Sequence, residues 1–233
     1  MTEQVDSRVE PHGRYGWRIS EALGIGLVGF IVTLCFLFVV SRELTRVRFA
    51  LGLTRFQISM LATAISSLAT CALFAPLVVS IAKKRGFRSR WQSVESNLGK
   101  NVLYWAALGA VCGVAFEITH RLVFGINDSF HEYPVAISVG LYLISLGLVQ
   151  PFIEEIYYRG LLFMALSARF GDFVSIIIVT LLFVAMHPEH RLVVLPIAVV
   201  LGITRIVTKS VASCFALHAC YNLGLVTYQL LFS

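Results

Sequence analysis

ALGIGLVGFIVTLCFLFVV, residues 22–40, carries no charged side chain and is long enough to cross a bilayer core, which takes roughly 18 or more apolar residues. Burying this run and others like it inside a soluble domain would leave too little polar surface. The whole chain agrees, with 58% hydrophobic and 14% charged residues, where an average soluble domain has about a quarter charged. Arg8, Arg14 and Arg18 precede the run, and Ser41, Arg42 and Glu43 follow it in place of a small-residue cleavage site. It reads as an anchor helix, not a removed signal peptide.

Outward from this span the pattern repeats. Gln57 to Ala82, Val102 to Phe116, Pro134 through Ile153, Phe173 to Met186, Leu192 to Val207 and Val211 to Phe232 are further apolar stretches. The expected fold is an all-α polytopic membrane helix bundle of about seven to eight transmembrane helices. Residues 1–20 read as a polar tail, 21–133 as N-terminal spans with basic connectors, and 134–233 as a membrane core carrying EExxxR, FxxxH and HxxxN stretches. Pro134 suits the first turn of its helix, and Ser41 to Phe56, with Arg42, Arg46, Arg48 and Arg55, suits a helix lying at the interface.

The net charge of +6 does not imply nucleic acid, because the basic residues sit mostly in short links between apolar runs. Lys83, Lys84, Arg85, Arg88, Arg90 and Lys100 form the densest such link. The positive-inside rule makes it cytoplasmic, and the N-terminus with it. The arginines of the first connector then fall outside, against the rule. Cys35, Cys71, Cys112, Cys214 and Cys220 all lie in apolar segments without a CxxC pair, so they read as reduced packing residues.

An ionisable group at bilayer depth costs at least about 2.5 kcal/mol unless paired or hydrated. Three clusters meet that condition. In Glu154-Glu155-Ile156-Tyr157-Tyr158-Arg159, Glu155 and Arg159 share a helix face while Glu154 is turned about 100° away. One carboxylate is neutralised internally and the other is free to act as a general base; a charge network tying helices together is the competing explanation. Phe183 and His187 are one turn apart at the end of an apolar run, where an imidazole also serves as a packing or interfacial group. His218 and Asn222 present two donors from one face, able to hold charge on a carbonyl oxygen or to join helices.

Glu117, His120 and Arg121 stand where an apolar run ends and read as interfacial. His187, Glu189, His190 and His218 raise the question of zinc, but His-Pro-Glu-His is not the HExxH spacing. His131-Glu132 begins that motif, with Val135 where its second His would be. No GxSxG elbow offers a nucleophilic serine.

EExxxR at Glu154–Arg159, FxxxH at Phe183–His187 and HxxxN at His218–Asn222, in that order, resemble the CPBP family of type II CAAX prenyl proteases and bacteriocin-processing Abi proteins. The resemblance implies a helical membrane endopeptidase in which Glu154 activates water, His187 assists, and His218 with Asn222 holds the oxyanion. Glu155 and Arg159 complete the first motif, by orientation and charge balance on the helix-face reading. It implies no obligatory metal or other cofactor. The expected surroundings are membrane lipid, in the cell (plasma) membrane, and a membrane-associated protein or peptide substrate. A non-proteolytic binding, immunity or regulatory protein is the alternative. A proton-coupled transporter is a third, disfavoured by the lack of repeated halves.

Overall fold

The structure, a computed structural model, describes residues 18–84, 98–124, 140, 143–187 and 191–232. The expected polar tail to residue 17, most of the basic link, the His131–Pro134 segment and Pro188–His190 lie outside the described residues.

Helix α1 (Ile19–Leu51) has 33 residues, about 50 Å at 1.5 Å per residue, well beyond a hydrocarbon core of roughly 30 Å. The excess carries Arg42, Glu43, Arg46 and Arg48. The expected separate interfacial helix is thus mostly an extension of α1, because nothing between Val40 and Leu51 breaks a helix. The break comes at Gly52, with φ 63°. There the Gly52 and Leu53 N–H groups bond back to the Phe49 and Arg48 carbonyls at 3.4 and 2.9 Å, a left-handed cap suited to glycine. Helix α2 (Arg55–Lys84) starts at once. Thr54 and Gln57 cap it reciprocally, Thr54 N–H to Gln57 Oε1 at 2.9 Å and Gln57 N–H to Thr54 Oγ1 at 3.2 Å. α2 packs on α1, and the Thr33 and Thr70 hydroxyls meet between them at 3.1 Å.

Helices α3 (Leu98–Phe124) and α7 (Val211–Phe232) form the most extensive pair. Gly109 lies on the backbone carbonyl of Leu217, and Gly113 on that of Tyr221, so both helices advance in the same direction. This GxxxG seam, to which Gly224 adds a contact on the Ala110 backbone, lets the two backbones touch. At its far end Glu117 is buried within the protein. It accepts from Arg121 (2.9 Å) and Gln229 (3.1 Å), while Arg121 also reaches the Phe232 carbonyl at 2.7 Å.

Between them the chain runs through a π-helical segment (Ser145–Val149), α4 (Gln150–Glu155), a second π-helical segment (Ile156–Leu162) and α5 (Phe163–Ala185). By composition this is one 41-residue apolar helix. It is folded in two: Glu154 and His187 approach to 3.8 Å, although on a straight rod they would stand about 50 Å apart. The fold is at Gly171, with φ 75° and ψ 165°, a conformation essentially confined to glycine. Helix α6 (Arg191–Thr208) then precedes α7, which is capped by Ser210 Oγ accepting from the Ser213 N–H at 3.2 Å.

Among the described residues five helices are long and apolar enough to cross a membrane, with Val194–Thr208 as a shorter apolar helix. This is somewhat below the expected seven to eight, since α6 is short and the two arms of the hairpin form one continuous stretch. Polarity is inverted relative to a soluble protein. Leu122 is 82% and Phe173 73% exposed, whereas Glu155 and Arg159 are 0%. Apolar side chains face outward and charged groups inward, as lipid requires; the protein is an integral membrane protein.

Candidate active site in the folded helix pair

The fold at Gly171 sets α5 against the second π segment, and α7 closes the third side. Into this space come residues from all three sequence clusters. Glu155 and Arg159 pair as their spacing predicts, Arg159 Nη1 donating to Glu155 Oε1 at 2.9 Å with both side chains fully buried. Glu155 Oε1 also accepts from His218 Nδ1 at 2.8 Å. That carboxylate therefore fixes one nitrogen of His218 and turns Nε2 toward Glu154 Oε2, 3.9 Å away.

Glu154 points away from this pair into the more open part of the site, its side chain 16% exposed. Gln150, one turn earlier, donates to Glu154 Oε1 at 3.1 Å. His187 approaches the same oxygen through Nε2 at 3.8 Å. Its Nδ1 lies 2.7 Å from the Phe183 carbonyl. A carbonyl only accepts, so Nδ1 holds the proton and, in the neutral ring, Nε2 presents its lone pair to Glu154. The Glu154–His187 gap is too long for a direct hydrogen bond and short enough for both groups to reach one water.

Phe183 explains why an aromatic residue precedes His187 by one turn. Its ring lies 4.3 Å under the Arg159 guanidinium, 4.7 Å from the His187 ring and edge-on to His218 at 5.9 Å. One buried side chain thus spaces three charged or polar groups, and cation–π attraction supports the arginine.

Asn222 stands one turn beyond His218 and donates through Nδ2 to the Leu146 carbonyl at 2.8 Å. The first π segment explains this partner. Gln150 N–H bonds five residues back to Ser145, so where the α register resumes the Leu146 carbonyl is passed over. Such single-turn π segments recur at functional sites, and a buried orphan carbonyl needs a donor. Asn222 supplies it and keeps a second N–H.

Glu154, Glu155, Arg159, His187 and His218 are therefore linked by contacts under 4 Å, and Asn222 stands one turn from His218 with its side chain on the Leu146 carbonyl. Gln150 was not singled out in the sequence, although a polar residue one turn before Glu154 in an apolar run was a legible signal. Neither π segment had one. Among the described residues no group of three or more His, Cys, Asp or Glu side chains is arranged to hold a metal ion.

An all-α membrane bundle with paired carboxylates and imidazoles at the centre of its folded helix pair defines the class. Residues 136–224, which contain all three motifs, match the family Type II CAAX prenyl endopeptidase Rce1-like. That segment is thus similar to the type II CAAX group within the CPBP family that the motifs resemble. No curated protein and no solved structure matches the chain.

Proposed function

We propose that the chain is an intramembrane endopeptidase that hydrolyses a peptide bond of a membrane-associated protein or peptide, in the cell membrane. The observation that carries this reading is the approach of Glu154 to both imidazoles, 3.8 Å to His187 Nε2 and 3.9 Å to His218 Nε2. Family similarity to CAAX prenyl endopeptidases supports the same reaction class.

Glu154 accepts the proton of a water that His187 Nε2 also holds, and the hydroxide attacks the scissile carbonyl. General-base catalysis of this kind contributes about 10²- to 10⁴-fold. His218, as the imidazolium whose Nδ1–H Glu155 holds, donates to the oxyanion through Nε2–H, and the second N–H of Asn222 completes the oxyanion site. Collapse of the tetrahedral intermediate passes the proton from Glu154 to the leaving amine. Glu155 and Arg159 take no part in proton transfer and fix His218.

The test is peptide release from a library of membrane-associated peptides, with the protein in liposomes, comparing wild type with Glu154→Gln and His187→Ala and with a chelator added. Loss in both variants, with wild-type cleavage surviving chelation, supports the mechanism. Full activity of Glu154→Gln would sink it, and chelator-sensitive cleavage would require a metal. A folded wild type that cleaves no peptide while binding one favours the non-proteolytic reading, in which the sealed Glu155–Arg159–His218 network serves packing.

A further inference from the structure

Arg205 lies in the apolar run of α6, outside the three motifs, and is only 7% exposed. Its Nε–H donates to the backbone carbonyl of Arg159 at 2.8 Å, and its guanidinium lies 4.7 Å over the Phe163 ring. That carbonyl is a particular one. Phe163 N–H bonds five residues back to Tyr158, and Phe163 begins the α register of α5. At the change from five-residue to four-residue bonding the carbonyl passed over is that of Arg159. Arg205 thus does for the second π segment what Asn222 does for the first.

We propose that Arg205 is a positioning residue: by capping the Arg159 carbonyl it holds the second π segment in register and so aims the Arg159 guanidinium at Glu155 and, through Glu155, His218 Nδ1. The chain of contacts is continuous, Arg205 Nε to Arg159 carbonyl (2.8 Å), Arg159 Nη1 to Glu155 Oε1 (2.9 Å) and His218 Nδ1 to Glu155 Oε1 (2.8 Å). Without the cap the segment gains by returning to α register, since an unpaired buried carbonyl is costly. One residue of register turns Arg159 by about 100° relative to the residues before it. The effect on rate rests on the peptidase reading; the effect on His218 does not.

The experiment uses the full chain, labelled with ¹⁵N-histidine in detergent micelles, with His218 assigned by His218→Gln. In Arg205→Met the His218 Nδ1–H signal shifts or is lost to exchange, and kcat falls about 10- to 100-fold with KM little changed, as for a small misplacement of catalytic groups. Arg205→Lys, whose ammonium donates to the same carbonyl, restores the signal and most of the rate. An unchanged His218 signal in folded Arg205→Met overturns the proposal, as does a kcat loss that Arg205→Lys fails to rescue. If Arg205→Met does not fold, Arg205→Leu, which likewise has no side-chain donor, is read by the same two criteria. A wild type that cleaves nothing while His218 still responds to Arg205 rejects the peptidase reading and leaves this inference standing.

Discussion

At the scale of the residue, adjacent glutamates have opposite surroundings, and their variants should fail in opposite ways. Glu155 is fully buried and accepts from both Arg159 and His218, so Glu155→Gln leaves a buried guanidinium without its counter-ion. Breaking a buried pair in this way costs about 3–5 kcal/mol. The expected result is a markedly lower thermal midpoint in detergent, with weakened activity as a consequence. Glu154, partly exposed and bonded to Gln150, should lose cleavage on conversion to Gln with the midpoint nearly unchanged. Equal midpoints for the two variants would mean that the Glu155–Arg159 pair does not stabilise the fold. This division was legible in the sequence, because the four-residue spacing alone pairs Glu155 with Arg159 and leaves Glu154 over. What spacing could not convey is how the clusters meet, since that requires a glycine to fold one apolar stretch back on itself. Arg205 was visible as an arginine in an apolar run, but its partner is a carbonyl orphaned by a π turn that no residue pattern announces.

At the scale of the element, the helices that carry the site are placed by glycines, and each glycine acts differently. A Cβ at Gly109 would strike the Leu217 backbone carbonyl, next to His218, whereas one at Gly24 would meet nothing within 4 Å. Gly109→Ala should therefore cost about 1–3 kcal/mol by overpacking and slow cleavage by displacing α7. Gly24→Ala should be neutral or stabilise by about 0.5–1 kcal/mol, the usual gain over glycine within a helix. Paired thermal and cleavage measurements decide this, and a Gly109→Ala as stable and active as Gly24→Ala would refute the seam. Gly171 also has open space around its Cβ position but sits at φ 75°, so Gly171→Ala should cost about 1–3 kcal/mol through backbone strain alone. Apolar length found the spans in the sequence. It did not reveal that the 41-residue stretch folds back at Gly171, and it missed the GxxxG seam, whose meaning depends on which helix faces it.

At the scale of the molecule, contacts fix which connections share a membrane face. α3 and α7 advance in the same direction, so the start of α3 and the Lys209–Ser210 link before α7 lie on one side. Lys209 Nζ lies 2.6 Å from Asp172 Oδ2, which brings the fold at Gly171 to that side as well. α2 leads into the basic link before α3, so its start, beside Gly52, belongs to the opposite side. The face holding Lys83, Lys84, Lys100, Arg169 and Lys209 is then the more basic, and the positive-inside rule predicts that it is cytoplasmic. Arg42, Arg46, Arg48 and Arg55 remain on the other side against the rule, and Arg46 is partly offset by Glu43 at 2.9 Å. A membrane-impermeant maleimide tests the arrangement on a background lacking the four cysteines other than buried Cys214. Lys209→Cys should label in inverted vesicles and stay protected in intact cells, and Gly52→Cys should do the reverse. If both label from the same side, α2 does not cross. If both patterns exchange, the contacts stand and the charge rule has been overridden by the arginines at the end of α1.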